Sequence, residues 1–226
     1  MNLAKPRIDI GLNTNGIAPL LAFWQNEIGL PFEHLLPVYR GMKQHRHGLL
    51  GSVLKINEYR DPLPQCEPSG YRELLIARDG IAEMRQLRDP DGNRVSLVPP
   101  GTFGIARIGI KLGVRDVDAH AAFYSQVLGL PAHEHGPAFL AGDSVLLLEH
   151  DPNASGDATI QGAGWRYITF QVLKVDEEPA AVLAKGGREA RAPVTLGQTA
   201  RISMVRDPDG NWIELSQRAS ITGSLE

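Results

Sequence analysis

The same turn occurs twice in this sequence: residues 205–216 are VRDPDGNWIELS, and residues 87–98 are LRDPDGNRVSLV. Proline fixes φ and glycine accepts a positive φ, so D-P-D-G-N between two strand-like runs predicts a tight turn. The longer spacing of an EF-hand calcium loop is absent. We therefore interpret the turn as structural. Its importance lies in the strand that follows it, which carries Glu214 in one stretch and Ser96 in the other.

The similarity between the two halves of the chain extends well beyond this turn. The stretch RIDIGL at 7–12 matches RIGIKL at 107–112, and AFWQNEIGLP at 22–31 matches AFYSQVLGLP at 122–131. Self-similarity of this kind is the signature of a repeated structural unit. We therefore divide the chain into two copies and a tail. The expected boundaries are 5–100 for an abbreviated first copy, 104–218 for a full second copy and 219–226 for the tail.

Each copy is predicted to contain two β-α-β-β-β units. It starts with a strand of alternating polarity, and a helix with apolar residues at helical spacing follows. Asn15 and Asp116 are the expected N-caps of these first helices. In the second copy, DEEPAAVLAKGG at 176–187 predicts a further helix, because it has an acidic first turn and a glycine stop. The first copy has only ARDGIAE at 77–83, with a tight hairpin turn at 79–80, so we predict that this helix is lost there.

Composition excludes several classes of protein. The formal net charge is −3 with charges of both signs, which gives no reason to expect nucleic acid or an anionic membrane as a partner. Cys66 is the single cysteine, so neither an internal disulfide nor a C-x-x-C motif can form. No apolar run approaches the ~20 residues that span a bilayer. We therefore expect a cytoplasmic protein without nucleic-acid or membrane partners, either a monomer or a homodimer.

Two stretches of the second copy carry a resemblance to a known superfamily. They are VRDVDAHAAFYSQVLGLP at 114–131 and DPDGNWIEL at 207–215, and weaker forms of both occur in the first copy. In order and spacing they resemble the vicinal oxygen chelate superfamily, which includes glyoxalase I, extradiol dioxygenases and bleomycin resistance proteins. The resemblance implies an α+β fold of tandem β-α-β-β-β units in two domains, each with a curled mixed sheet. It also implies a site on the concave face of such a sheet, which we call a cup.

In many members of this superfamily the cup holds a divalent metal ion (Fe, Mn, Zn or Ni) on two His and one Glu. These ligands lie on the first strand, on the strand that opens the second unit and on the last strand, and some members add a Glu on the fourth strand. In the second copy these positions hold Gly109, Tyr167, Glu214 and, on the fourth strand, Leu147. In the first copy they hold Asp9, Glu73, Ser96 and Lys55. No imidazole is among them, so the resemblance implies an incomplete metal site in which Glu214 is the remaining ligand.

The sequence leaves open whether units pair within a copy or are exchanged between copies. Exchange would bring Asp9 beside Tyr167 and Glu214, a trio that could chelate a hard cation weakly or transfer protons without a metal ion. A buried Glu held by a tyrosine hydroxyl is equally an ordinary structural pair. We take Glu214 and Tyr167 as the candidate catalytic residues. The candidate substrate-binding residues are Trp212, Gly109, Asp9 and Glu73.

Several of these choices follow from position. Trp212 is two residues before Glu214 and therefore shares its face of the strand. Gly109 removes a side chain from the floor of a cup, which makes room for a ligand. His45 and His47 alternate on a predicted strand. On the concave side they would join the acidic side chains of the first copy; the alternative is a solvated strand edge.

Three functions fit these observations. The first is an enzyme, glyoxalase-like or dioxygenase-like, that acts on a small, partly apolar molecule with Glu214 as a metal ligand or general base and Tyr167 assisting. The second is a metal-free protein that binds and sequesters a small molecule, similar to bleomycin resistance proteins. The third is a degenerate two-domain module kept for interaction or regulation. The first two imply a small-molecule ligand or substrate as the partner.

Overall fold

The computed structural model describes residues 1–225, which form β-strands and four short α-helices. The strands are β1 (Leu3–Thr14), β2 (Phe32–Tyr39), β3 (Met42–Leu49), β4 (Ser52–Tyr59), β5 (Tyr71–Ala77), β6 (Arg85–Arg88), β7 (Arg94–Val98), β8 (Ile108–Val114), β9 (Ala138–Ala141), β10 (Ser144–His150), β11 (Gly164–Val172), β12 (Arg188–Leu196), β13 (Ala200–Arg206) and β14 (Trp212–Arg218). The helices are α1 (Ile17–Ala22), α2 (Val117–Ala122), α3 (Glu177–Ala184) and α4 (Ala219–Thr222). The predicted α+β class is confirmed.

The strands form two curled, mixed sheets. The larger has the order β12-β13-β14-β11-β1-β4-β3-β2, and the smaller has the order β6-β7-β5-β8-β10-β9. Strand β1 lies antiparallel to β11, and β5 lies antiparallel to β8. The first unit of the chain therefore shares a sheet with the fourth, and the second with the third. Units are exchanged between the two sequence copies, and each sheet contains one unit from each copy.

The alternation predicted for the first strand decides which side of the large sheet packs into the main apolar core. Ile8, Ile10 and Leu12 are fully buried and belong to the main apolar core, which also contains Trp24 of the first copy and Tyr124 of the second. Side chains at alternate positions point to the opposite face because the period of a strand is two. That opposite face is the concave one, and it carries the candidate site.

The two first helices begin differently. The Asp116 carboxylate accepts a hydrogen bond from the backbone N–H of Ala119 at 2.9 Å, so the predicted N-cap of α2 is confirmed. The Asn15 prediction is wrong: its side-chain amide donates to the carbonyls of Tyr59 and Asp61 and is used to hold the chain after β4. Helix α1 has no side-chain cap. Both helices then continue as one π-helical turn, Phe23–Glu27 and Phe123–Val127.

The length difference between the copies lies where the sequence indicates it. Helix α3 occupies Glu177–Ala184, whereas residues 78–84 form only turns and bends. The predicted loss of this helix from the first copy is confirmed. The third unit is also short, because a single β-bridge from Ala132 to Phe139 stands where the first unit has β2. Of the tail at 219–226, the described part contains α4, and residue 226 lies outside the described residues.

The repeated D-P-D-G turn is built by its first aspartate. Asp89 accepts hydrogen bonds from the backbone N–H groups of Asp91 and Asn93, and Asp207 accepts one from the N–H of Asn211. Gly92 has φ +83°, which confirms the turn chemistry read from the sequence.

Within residues 1–225 no helix combines the length and the apolarity that crossing a membrane requires.

The second copy of this turn is tied to α2 by a buried histidine. Nδ1 of His120 lies 2.7 Å from the Asp116 carbonyl and can donate to it, while Nε2 lies 3.4 Å from Asp207 and 3.8 Å from Asp209. Burial alone would lower the pKa of His120, but the interaction with Asp207 outweighs it, so the pKa is raised. The protonated imidazole therefore stabilises this corner of the fold.

We expect the cost of His120→Gln to depend on pH. A histidine whose pKa is raised by folding contributes stability below its unfolded pKa of about 6.5, and that contribution is lost as the pH rises through the folded pKa. Urea unfolding should show a cost of about 1.5–3 kcal/mol at pH 5.5 and a smaller one at pH 8.5.

His47→Gln is the matched control, because burial lowers the pKa of His47 to about 4. Wild type should lose stability relative to that variant as the pH falls below about 6.5. Equal costs of His120→Gln at both pH values would contradict the assignment.

Candidate functional site

The concave face of the eight-stranded sheet, which we call the first cup, collects charged side chains from both copies. Exchange of units brings Asp9 of β1 and Lys55 of β4 to the same face as Tyr167 of β11 and Glu214 of β14. All four are buried, with exposed fractions between 0% and 9%. The trio of Asp9, Tyr167 and Glu214 expected from unit exchange therefore shares one cup, and a lysine stands among its members.

An ion pair crosses the floor of the first cup. The Lys55 ammonium nitrogen lies 2.7 Å from Glu214 Oε1 and 2.7 Å from the hydroxyl oxygen of Thr169, which itself donates to Glu214 at 3.1 Å. Burial lowers the pKa of Lys55, although Glu214 and then Asp9 act in the opposite direction. Each of the two carboxylates interacts with the cation between them.

Asp9 is held by donors of its own. Its carboxylate accepts from the Lys5 ammonium at 2.7 Å, from the backbone N–H of Val53 at 2.8 Å and from the Gln171 amide at 3.0 Å. Three such donors satisfy most of the acceptor capacity of a carboxylate. Asp9 thus holds β1 and β4 together at one end of the first cup.

Tyr167 lies across the middle of the floor because its neighbour on β1 is a glycine. Gly11 pairs with Tyr167 in the ladder, and a Cβ at position 11 would overlap the phenol ring. The phenol oxygen accepts a hydrogen bond from Asn57 at 3.1 Å and a longer one from Gln44 at 3.4 Å. Burial and the neighbouring Glu214 raise the pKa of Tyr167 well above its usual range. The hydroxyl is therefore neutral, and its proton is free to be donated into the cup.

A small apolar cluster lies beside this polar floor. Trp212 packs with Tyr167 and Met204, and the Arg206 guanidinium stacks over the indole at 4.1 Å from the ring centroid. Trp212 shares the face of Glu214, as its position two residues away predicts. The first cup therefore offers an aromatic wall next to charged groups, an arrangement typical of small-molecule sites.

The segment that joins β10 to β11, residues 151–163, covers the first cup. The Trp212 indole N–H donates to the Ala158 carbonyl at 2.8 Å, and the Asn13 amide donates to the carbonyls of Ile160 and Gly162 at 2.7 and 3.1 Å. The Ile160 side chain packs against the apolar cluster. We call residues 151–163 the covering segment. It explains why the floor is so little exposed.

The concave face of the six-stranded sheet, the second cup, has a different character. Gly109 lies there and not with Tyr167 and Glu214, and the space above it is taken by the fully buried side chain of Ile105. The room that Gly109 was expected to leave for a ligand is thus filled by the chain itself. Around it, an apolar cluster fills the cup, made up of Leu75, Ala77, Val98, Ile105, Ala138, Val145 and Leu147.

Glu73 is the buried carboxylate of the second cup. It accepts a hydrogen bond from the Ser96 hydroxyl at 2.5 Å and lies 3.3 Å from the Lys111 ammonium, which also reaches Glu149 at 3.1 Å. Glu73 therefore has local partners and does not meet Asp9, which lies on the other sheet. The candidate residues taken from the sequence are divided between two cups.

The histidine pair of β3 does not reach either cup. His45 lies 2.9 Å from Glu58, and His47 is fully buried against Gln25 and the ring of Phe32, on the helix side of the sheet. Of the two alternatives, the one in which both join the acidic side chains of the first copy is wrong, and the solvated strand edge does not describe the buried His47 either. The positions that point into the first cup are their neighbours, Gln44 and Arg46.

Several residues of the first cup were not among the candidates. Gln44, Arg46, Asn57, Thr169 and Gln171 all line the floor with buried side chains. Each lies at an even spacing from a candidate or on a neighbouring strand. The available signal was a polar residue at every second position of predicted strands, in a chain that otherwise buries apolar ones.

The side chains at the superfamily's ligand positions do not offer the donor set of a divalent metal. In the first cup these positions hold Asp9, Lys55, Tyr167 and Glu214. The Glu214 oxygen bonds to an ammonium, Asp9 is bound by three donors, and Tyr167 is a neutral phenol. Over residues 1–225, no three His, Cys, Asp or Glu side chains are grouped so that they could hold a metal ion. The residues at these positions therefore do not fit a divalent metal ion.

Comparison with known proteins agrees with this fold. Residues 104–215 match the model of the Glyoxalase/Bleomycin resistance protein/Dioxygenase superfamily. Glyoxalase I from Zea mays is similar in structure, with a TM-score of 0.74 and 16% identity over 93% of this chain and 92% of that one. Its V278E mutant gives a TM-score of 0.75 and 15% identity, over 97% and 96%. At these identities the likeness concerns the fold alone. No curated protein matches this chain.

Proposed function

We propose that this chain, which belongs to the Glyoxalase/Bleomycin resistance protein/Dioxygenase superfamily, binds a small, partly apolar molecule in its first cup without a metal ion. Glyoxalase-like and dioxygenase-like members of the superfamily place a cation on the concave face of the sheet. Here the Lys55 ammonium supplies the positive charge that a metal ion would otherwise bring to Glu214. The second cup, filled by its own side chains, serves as core.

One observation carries this proposal: Lys55 Nζ lies 2.7 Å from Glu214 Oε1 and 2.7 Å from Thr169 Oγ1, in a buried setting. A metal ion at the same place would have to displace the ammonium and leave it buried beside a like charge, which is strongly unfavourable. The aromatic wall of Tyr167 and Trp212 supports a ligand with an apolar part. Sequestration without turnover is the simplest function of such a cup.

A second candidate is a metal-independent enzyme that transfers protons. Burial lowers the pKa of Lys55, so its neutral amine, the form that can accept a proton, is reached at a lower pH than in a free lysine; Tyr167 can donate a proton from a neutral phenol. Under this candidate the ligand would take up deuterium from the solvent in the presence of wild type and not of Lys55→Met. Mass spectrometry of the recovered ligand separates turnover from sequestration.

Metal analysis tests the proposal. Protein purified without a chelating tag and assayed by plasma mass spectrometry should contain far less than one equivalent of Fe, Mn, Zn or Ni. Added metal should leave the thermal midpoint unchanged, because a ligand that binds only the folded state would raise it. Glu73→Gln in the second cup is the matched control for Glu214→Gln in the first, and neither should change the metal content. One tightly bound equivalent that is lost in Glu214→Gln alone would overturn the proposal.

A further inference from the structure

Arg46 is a buried cation of the first cup with no counter-ion. Arg46 is 4% exposed, and within residues 1–225 its side chain makes one hydrogen bond, from Nη1 to the Gln44 amide oxygen at 2.9 Å. Its Nε–H is buried and has no hydrogen-bond partner within residues 1–225, and no carboxylate of that range lies within ion-pair distance. An unpaired buried charge is costly, so this position requires an explanation.

The charges around Arg46 add to the imbalance. Lys55, its direct neighbour in the ladder, is already paired with Glu214, and Asp9 is paired with Lys5. Burial is the main cause that lowers the pKa of Lys55 and of the half-buried Arg218, and Arg46 lowers both further, so Arg46 lies close enough to each of them to repel it. Asp9, Glu214 and Glu33 act on the pKa of Arg218 in the opposite direction. The first cup therefore carries an excess of positive charge that the residues around it do not neutralise.

We propose that the first cup binds a small organic anion, and that Arg46 is the residue that anchors its anionic group. This inference rests on the proposed function, since it names the class of ligand for the same cup. A carboxylate or phosphate oxygen would accept from the free Nε–H and from an Nη–H of the same guanidinium, the fork geometry that suits these groups. Tyr167 and Trp212, in the same cup, would contact an aromatic or aliphatic part of the ligand.

A ligand that contacts both Arg46 and Trp212 would lie against the covering segment, which bonds to Trp212. A cavity of about 220 Å³ lies at the rim of the sheet, lined among others by Tyr39, Tyr59 and Gln161. Gln161 belongs to the covering segment, and Tyr59 lies close enough to Tyr167 to raise its pKa further. Trp212 and Asn13 are among the residues that hold the covering segment to the floor, so a ligand that contacts Trp212 also affects the cover.

Three probes of similar shape test the anion assignment. Isothermal titration calorimetry should show that benzoate or phenyl phosphate binds at least tenfold more tightly than the neutral benzamide. Whichever anion binds more tightly identifies the ligand group as carboxylate or phosphate. In Arg46→Met the preference for the anions should disappear, with a loss of about 10–100-fold in their affinity. Arg94→Met, which removes an exposed guanidinium from the other sheet, is the matched control and should bind as wild type does.

Stability of the ligand-free protein provides a second readout. Since Arg46 is an unpaired buried charge, Arg46→Met should unfold at the same or a higher urea concentration than wild type, and a merely structural arginine would do the opposite. No anion preference among the probes, a preference that survives in Arg46→Met, or a lower unfolding midpoint for that variant would overturn the inference. Those results leave the metal-independent cup untouched, whereas a stoichiometric metal ion refutes the proposed function itself.

Discussion

Lys55→Met is expected to lower the free energy of unfolding by about 3–5 kcal/mol, because it leaves Glu214 buried without its counter-charge. The pair is well shielded from water: the side chains are 4% and 12% exposed. Surface ion pairs contribute far less, about 0–1 kcal/mol, so the size of the effect reports the burial. Urea unfolding followed by circular dichroism measures it directly.

The double variant Lys55→Met/Glu214→Leu distinguishes the cost of losing the ion pair from the cost of leaving one charge buried alone. An apolar pair of similar volume can replace a buried ion pair at little cost, so the double variant should be nearer to wild type than Lys55→Met is. Lys111→Met is the control in the second cup: Lys111 bridges Glu73 and the exposed Glu149, and its loss should cost less. A loss below about 1 kcal/mol for Lys55→Met would mean that the pair is hydrated like a surface one.

Ile105→Ala is expected to destabilise the protein by about 2–5 kcal/mol, the usual range for removing buried methyl groups from a packed core. Ile105 comes from the connection between β7 and β8 and fills the space above Gly109. Its removal should leave a cavity on the concave face of the small sheet. Urea unfolding gives the cost, and Ile105→Val, with an expected cost of about 0.5–1.5 kcal/mol, is the matched control.

This prediction also tests whether the second cup serves as core while the first cup binds the ligand. If the second cup serves as core, Ile105→Ala should change stability and leave the binding of benzoate or phenyl phosphate unchanged. If Ile105→Ala leaves the free energy of unfolding nearly unchanged, the second cup is loosely filled and has room for a ligand. The two cups differ because Asp9 and Lys55 of the first cup are replaced by Gly109 and Leu147 in the second, where an apolar cluster fills the space.

The order of strands and helices in each copy could be predicted from the sequence because its evidence is local, whereas the fold class with its curled sheets came from the resemblance. The repeated turn depends on Pro, Gly and Asp at fixed offsets, and α3 on an acidic first turn with a glycine stop. Strand alternation at 8–12 identified the buried face. Asn15 failed as an N-cap because its partners, the carbonyls of Tyr59 and Asp61, are more than forty residues away along the chain.

Only part of the candidate site could be predicted from the sequence. The positions of Glu214 and Tyr167 followed from the resemblance, and Trp212 followed from its spacing to Glu214. Arg46 and the role of Lys55 could not be predicted in this way, because a lysine on a strand is usually exposed. Nothing local indicates that Lys55 of β4 reaches across β1 and β11 to the carboxylate of Glu214 on β14. The face of His45 and His47 stayed open at the level of sequence, because alternation gives two faces and does not say which one is concave.

The sequence by itself determined the repeated unit, the polarity alternation of its strands, the missing helix of the first copy and the absence of imidazoles at the ligand positions. These depend on neighbours within a few residues, where propensity and spacing act. Only the tertiary structure decided that units are exchanged between copies, that Lys55 meets Glu214 across 159 positions, and that Ile105 closes the second cup. Such contacts arise from which sheet edges pair, and that choice is made by the packing of the whole chain.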